Sequence, residues 1–301
     1  MTNETERSFA FIAVLGAPNV GKSTLINRFV GTKVTIVTPK VQTTRSLVRG
    51  IRIEGASQLV FVDTPGIFEP KRRLDRAMVA AAWSGAADAD AILLLVDAEQ
   101  GISKETRRIL EGLKSAGRSA VLAINKIDRI KREKLLGLSA TLNDSGLFAK
   151  TFMISALDGD GVEDLLGHLA QLAPAGPWLF PEDQISDLPA RLLAAEITRE
   201  KLFLQLRQEL PYALAVTTES FKEREGGDIR IEQIILVQRA SQKAIVLGEG
   251  GSRIKDIGSA ARHELEGLFG TRVHLFLHVK VRKDWLENPE HYRDLGLDYR
   301  A

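Results

Sequence analysis

Gly16-Ala-Pro-Asn-Val-Gly-Lys-Ser23 reads G-x-x-x-x-G-K-S, and its flanks decide the fold. The apolar run Phe9–Leu15 precedes it as a strand, and a helical stretch follows. Glycines in such a turn let successive backbone N–H groups converge on phosphate oxygens, and the helix N-terminus adds positive potential. Gly16, Ala17, Pro18, Asn19, Val20, Gly21, Lys22, Ser23 and Thr24 form the candidate phosphate cradle. Lys22 is placed to reach β- and γ-phosphates, and the Ser23 hydroxyl to ligate Mg²⁺.

Further apolar runs follow at Leu59–Val62, Ala91–Val96 and Ser119–Ile124, each ending in a polar or glycine-rich turn. Helical stretches such as Leu74–Ala87 and Lys104–Gly117 lie between them. Fully apolar strands alternating with helices predict an α/β fold: a doubly wound, mostly parallel sheet covered on both faces. Ligands bind beyond the carboxyl ends of such strands. Asp63-Thr64-Pro65-Gly66 sits at one of these ends, with Asp63 suited to hold Mg²⁺ and Gly66 to offer its N–H to a γ-phosphate. Asn125-Lys126-Ile127-Asp128 sits at another. The Asp128 carboxylate matches the ring N–H and exocyclic amine of guanine, a donor pair that adenine lacks. Ser155-Ala156 is expected to give a backbone N–H to guanine O6.

In this order the three motifs resemble the P-loop GTPases, and the resemblance implies GTP and GDP as ligands with Mg²⁺ as cofactor. The switch threonine of that family falls in Gln42-Thr-Thr-Arg45, with Thr44 favoured as a metal ligand and Thr43 open. Lys22, Thr44, Gly66 and Asn19 are the candidate catalytic residues. Ile67 follows the aspartate motif where Ras-like proteins carry glutamine. Isoleucine cannot hydrogen-bond water, so slow intrinsic hydrolysis is expected. Asn19 resembles the asparagine of potassium-activated GTPases, which implies K⁺ in place of an arginine finger.

Composition bounds the rest. The chain has 301 residues, enough for two domains, with 44% hydrophobic and 27% charged residues and a net charge of +2. No cysteine is present, which excludes disulfides, thiolate zinc sites and cysteine nucleophiles and fits a reducing compartment. The N-terminus carries acidic residues ahead of a short apolar run, unlike a signal peptide, and no run nears the roughly 20 apolar residues of a membrane span. A cytoplasmic protein is expected.

Residues 175–189 carry Pro177, Pro181 and Pro189 around Trp178, Leu179 and Phe180, a stiff linker that these aromatics pin to one domain. It separates a domain at 1–174 from one at 190–301. In the second, Arg191–Leu210 reads as a helix stopped by Pro211, and Tyr212–Phe221 and Ile229–Val237 as a hairpin around Gly226-Gly227-Asp228. Val273, Leu275, Leu277, Val279 and Val281 alternate with Arg272, His274, Phe276, His278 and Lys280, predicting a strand with one wet face.

Gly248-Glu-Gly-Gly-Ser-Arg-Ile-Lys255 is a second glycine loop. Ile254 before Lys255 rules out a Walker loop, and Arg253 breaks a dinucleotide fingerprint. What remains is G-x-x-G, which resembles the loop of KH domains that clamps single-stranded RNA. Gly248, Glu249, Gly250, Gly251, Arg253 and Lys255 are the candidate RNA contacts. The element order resembles a type II, α+β KH domain, with a C-terminal tail after it. A single P-loop GTPase followed by such a domain resembles the Era family of GTPases, on GAPNVGKS, QTTR, DTPGI, NKID, Ser155-Ala-Leu157 and IVLGEGGSRIKDIG. The resemblance implies binding near the 3′ end of 16S rRNA, a role in assembly of the 30S subunit with nucleotide state gating release, and peripheral membrane association; a monomer is expected. A constitutive RNA-binding adaptor with structural GTP is the alternative. Glu249 and Gly250 depart from the basic residues usual in the loop, and a glutamate facing phosphate is repulsive, which weakens the expected backbone clamp; Phe68 stands where a histidine is usual, so that histidine's role does not carry over.

Overall fold

A computed structural model describes residues 7–301; the acidic start of the chain, residues 1–6, lies outside the described residues. The chain forms two compact units. One holds the described residues up to Thr35, then Thr44–Asp187 and Arg293–Ala301, and the other holds Ile36–Thr43 and Leu188–Tyr292. Neither unit is continuous in sequence. The short segment 36–43 and the C-terminal tail 293–301 thus fall on the other side of the boundary from their expected domains.

The first unit is a six-stranded sheet built from β1 (Ser8–Gly16), β2 (Val48–Glu54), β3 (Ser57–Asp63), β4 (Ala91–Asp97), β5 (Ala120–Asn125) and β6 (Phe148–Ile154). The order is β2-β3-β1-β4-β5-β6, parallel throughout except for the antiparallel edge strand β2. The helices are α1 (Lys22–Val30), α2 (Arg73–Ala87), α3 (Lys104–Ser115), α4 (Arg132–Asn143) and α5 (Val162–Gln171). Alternate residues of each central strand point to opposite faces, so one strand feeds two cores. Ile12 and Val14 pack with Leu25, Phe29 and Leu165 on the face of α1 and α5. Ala13 and Leu15 pack with Ala82, Ile109 and Leu135 on the other face. Phe29 stacks on Phe61 at 4.5 Å between ring centroids, a pairing worth about 1 kcal/mol beyond its buried area.

β1 lies between β3 and β4, so the chain turns in opposite directions on its two sides. The loop after β1 therefore opens at the switch point of the sheet, where such folds bind ligands. Residues 175–187, expected as a stiff linker pinned to one domain by its aromatics, run along the β2–β3 side of the first unit. Ala175 bridges to Ser8 and Ser186 to Gly50. Trp178 donates from Nε1 to the Ala56 carbonyl at 3.0 Å, and the buried Gln58 Oε1 accepts from the N–H groups of Leu179 and Phe180.

In the second unit, α6 (Ala190–Gln205), β7 (Leu214–Glu223), β8 (Ile229–Val237), α7 (Ala240–Leu247), α8 (Ser252–Phe269) and β9 (Val273–Val281) follow in order, and α9 (Pro289–Asp294) begins in this unit and ends in the first. The sheet is β7-β8-β9, with β7 antiparallel and β9 parallel to the central strand. This is the α+β arrangement of a type II KH domain. Ala194 and Ile197 of α6 and Ala261 and Leu265 of α8 cover one sheet face against Ile229, Ile231 and Val273. Two readings are corrected. Helix α6 ends at Gln205 rather than near Leu210, because Leu206 is extended (φ −88°, ψ 154°), and Pro211 sits in a separate 3₁₀ turn. Val281 is 43% exposed, so the buried stripe of β9 stops at Val279.

Candidate nucleotide site and RNA loop

The G-x-x-x-x-G-K-S turn joins β1 to α1 with Asn19 (φ 64°) and Gly21 (φ 101°) in left-handed geometry. A Cβ on Gly21 would lie 2.3 Å from Asn125 Nδ2, so side-chain bulk is excluded there. Asn125 is the brace of the loop: its Nδ2 donates to the Val20 carbonyl at 2.7 Å, and its Oδ1 accepts from the Ala156 N–H at 2.9 Å. Lys126 Nζ ties Asn19's carbonyl (2.7 Å) to the buried Asp97 (2.6 Å). Pro18, Asn19, Lys126 and Asp128 are accessible, whereas Val20, Gly16, Ala17 and Asn125 are buried supports.

Lys22 is buried and donates to the carbonyls of Gly16 (3.2 Å) and Ala17 (3.0 Å). Burial pushes its pKa down to about 8, against the opposing pull of Asp63. An ammonium held this way gains from an anion delivered to the loop.

Asp63 is fully buried at the end of β3, and burial raises its pKa. Its Oδ2 accepts from Ser23 Oγ (2.8 Å), Thr35 Oγ1 (2.8 Å) and Thr44 Oγ1 (3.1 Å). Its Oδ1 is buried with no hydrogen-bond partner among the described residues. One carboxylate and hydroxyl oxygens, with an unmet buried acceptor, form an all-oxygen donor set of the kind a hard divalent cation takes. The residues fit Mg²⁺. Thr44 lies in this cluster, 3.1 Å from Ser23 Oγ, while Thr43 bonds Thr38 Oγ1 and the Lys40 carbonyl. Thr35 was not anticipated: inside Val34-Thr-Ile-Val37 it reads as an ordinary strand-forming residue.

Thr64 Oγ1 donates to the Val14 carbonyl at 2.7 Å, so it fastens β3 to β1. Pro65 is buried, and a Cβ on Gly66 would meet Pro18 at 2.9 Å. Ile67 is fully buried in the core with Leu15 and Ala82, and its N–H donates to the Gly16 carbonyl at 3.1 Å. Its side chain is a packing element turned away from any phosphate. Thr24 lies inside the first turn of α1.

At the base end, Asp128 sits in a 3₁₀ turn and is exposed, with Arg129 Nε 3.8 Å away. The Asp128 side chain is 28% exposed, so further desolvation there comes with the base. The expectation for Ser155-Ala156 changes. The Ser155 N–H donates to the Asp160 carbonyl at 3.0 Å and the Ala156 N–H to Asn125, so both are already engaged. Arg28 reaches across from α1 to the carbonyls of Ala156 (3.0 Å) and Leu157, an unanticipated brace on this loop.

The second glycine loop joins α7 to α8. A Cβ on Gly248 would meet Arg253 N at 2.9 Å, whereas Gly250 and Gly251, both at positive φ, have open space where a Cβ would go. Open glycines at a helix N-terminus allow another backbone to approach closely. Glu249 and Lys255 are exposed. Arg253, expected to face RNA, instead donates to the Ile245 carbonyl at the end of α7. A helix C-terminus carries unmet carbonyls and negative potential, which is what draws the guanidinium back.

A guanine-type phosphate loop on one unit and an open G-x-x-G turn on the other define a P-loop GTPase coupled to a KH module. Residues 11–126 match the family model for the 50S ribosome-binding GTPase, and residues 209–286 that for the KH domain. GTPase Era of Rhizobium meliloti is 59% identical over 289 residues, covering 96% of this chain and 92% of that one. GTPase Era of Brucella suis is 57% identical, covering 99% and 96%. Two solved structures, each with a TM-score of 0.91 and 40% identity, cover 96% of this chain and 99% of their own. One is Era in complex with MgGDPNP and nucleotides 1506–1542 of 16S ribosomal RNA, the other an Aquifex aeolicus Era variant bound to GDP and AlF₄⁻. The chain belongs to the Era family of GTPases.

Proposed function

We propose that the chain binds and hydrolyses GTP, holds 16S rRNA near its 3′ end and acts in assembly of the 30S subunit. The observation that carries the catalytic half is the buried Asp63 carboxylate, with three hydroxyls on one oxygen and none on the other. Ser23, Thr44 and Asp63 would hold Mg²⁺, which offsets the charge on the β- and γ-phosphate oxygens. Lys22 exchanges the Gly16 and Ala17 carbonyls for phosphate oxygens, and the loop N–H groups cradle the rest. Water attacks the γ-phosphorus in line, the bond to the β-γ bridging oxygen breaks, and GDP and phosphate leave. Gly66 offers its N–H to the transferring group. With Ile67 packed in the core, no side chain at that position orients the water, so intrinsic hydrolysis is slow.

Asn19, accessible at the rim of the loop, is the place for a K⁺ that supplements Lys22. Faster hydrolysis in KCl than in NaCl, abolished by Asn19→Ala, is the expected result; equal rates in both salts remove the ion from the mechanism. Asp128 reads guanine. Asp128→Asn should weaken GTP by at least about a hundredfold and favour a xanthine nucleotide, and unchanged GTP affinity would mean that the base lies elsewhere.

RNA is assigned to the open turn of Gly248, Glu249, Gly250 and Gly251, with Lys255 beside it and Arg253 available once it leaves Ile245. The half-exposed Ile245 supplies an apolar rim for bases. We place the joint between the domains at Leu188–Pro189, where the ordered strap ends, and the nucleotide state gates RNA release through it. The protein acts in the cytoplasm as a monomer and meets membranes only peripherally; among the described residues no helix is long and apolar enough to cross one. Single-turnover hydrolysis, with and without a fragment of the 16S rRNA 3′ end, tests the whole reading. Hydrolysis above buffer and RNA crosslinks at 248–255 are expected. No hydrolysis in either condition would favour an adaptor with structural GTP.

A further inference from the structure

The segment Ile36–Thr43 belongs to the KH unit, although both of its neighbours in sequence, Thr35 and Thr44, donate to Asp63. Within the KH unit helix α6 holds it along its whole length. Ile36 is buried among Ala194, Ile197 and Leu265. The Val37 N–H donates to Glu200 Oε1 at 2.9 Å. Lys40 Nζ donates to the carbonyls of Phe203 and Leu206, the unmet acceptors at the end of α6. The Arg199 guanidinium donates to the Thr43 carbonyl, while its Nε bonds Glu196 at 2.8 Å. Arg199 and Glu200 are only 2% and 3% exposed.

Two adjacent charged side chains buried on one helix are costly unless paired, and apolar residues would fill the same space at less cost. What the charges add is direction: each fixes one end of the segment. The Thr43 carbonyl shares a rigid peptide plane with the Thr44 nitrogen. Holding that carbonyl fixes the plane from which Thr44 reaches Ser23 and Asp63.

We propose that Arg199 is a positioning residue for Thr44, so that helix α6 of the KH unit sets the competence of the metal and γ-phosphate site. This rests on the assignment of Thr44, Ser23 and Asp63 to Mg²⁺. Glu200 and Lys40 act in the same way on the rest of the segment.

The test uses the full-length chain with Arg199→Ala, Arg199→Lys and Lys40→Ala. Affinities for a fluorescent non-hydrolysable GTP analogue and for GDP are titrated against Mg²⁺, and amide exchange is followed over residues 36–44. Arg199→Ala should weaken Mg²⁺-dependent analogue binding about tenfold while GDP changes by less than about twofold, because the lost bond is charge-assisted and the Thr44 it positions serves the metal and γ-phosphate. Protection of the segment should fall in parallel. Arg199→Lys should recover part of the loss, keeping a donor for Thr43 without the fork to Glu196. Lys40→Ala, at a half-exposed position, should act in the same direction by about threefold and covers the case in which Arg199→Ala does not fold. Equal weakening of analogue and GDP, or lost protection with unchanged Mg²⁺-dependent affinity, overturns the proposal. A wild-type chain whose analogue affinity is indifferent to Mg²⁺ overturns the metal assignment beneath it.

Discussion

The two glycine loops use the same device for different ends. Each places a left-handed glycine, Gly21 or Gly251, as the N-cap of a helix, so that free N–H groups face outward. Around the first loop the protein closes in: a Cβ at Gly16 would strike the Leu95 carbonyl oxygen at 2.7 Å, and one at Gly21 would strike Asn125. Its lysine, Lys22, is buried. Around the second, Gly250 and Gly251 face open space, and Lys255 is exposed. The first loop is a preformed mould for a small, highly charged ligand. The second is a bare stretch of backbone that an extended polymer can lie against.

Alanine at each helix cap should separate them most sharply. Gly21→Ala combines left-handed strain with loss of the Asn125 brace, and should cost about 3 kcal/mol of stability and abolish nucleotide binding. Gly251→Ala carries the strain alone, about 1 kcal/mol, and should weaken RNA binding while leaving GTP affinity intact. Thermal unfolding with nucleotide and RNA titrations reads both. Equal loss of GTP affinity in the two variants would erase the contrast.

Asp63→Asn comes next. Burial raises the Asp63 pKa above its unfolded value, so the ionised carboxylate opposes folding at neutral pH, and nucleotide-free stability rises as pH falls through that raised value toward the ordinary carboxylate range. The asparagine variant should lose Mg²⁺-dependent GTP binding yet unfold at the same or a higher temperature without nucleotide, by up to about 1 kcal/mol. It should also lack the wild-type gain at lower pH. A variant destabilised at neutral pH would show that the three hydroxyls outweigh the cost of burial.

Legibility in the sequence followed the range of the interactions. β1, β3, β4 and β5 were readable because each is a fully apolar run closed by a motif at fixed spacing. The edge strand β2 was not, since Arg49, Arg52 and Glu54 interrupt its apolar residues. Ile67 was visible as a departure, but only the structure shows that it fills the core above α2. Thr35 carries no local signal, and its role depends on Asp63, which is 28 residues away. The Ile36–Thr43 segment was least readable: Val37 and Glu200 are separated by 163 positions, and no periodicity reports such a pairing. The resting partner of Arg253 was not readable, because a charge beside a glycine turn suggests a ligand, while the α7 carbonyl ahead of it competes for the guanidinium.

The smallest expected effect lies at Glu249, the discordant residue of the open loop. It is exposed on a turn with no packing role, so Glu249→Lys should leave stability within about 0.5 kcal/mol and GTP affinity unchanged. Replacing an acid by a base beside the RNA backbone should tighten binding about threefold to tenfold at moderate salt. The distinguishing readout is the salt dependence. If the introduced lysine gains one phosphate contact, the slope of log affinity against log salt steepens by about 0.7, the value for a single strand. Tighter binding with an unchanged slope would mean that removing repulsion, rather than adding a contact, is what the substitution achieves. A null result on both would place the RNA backbone along Gly250 and Gly251 with the side chain of Glu249 turned away from it.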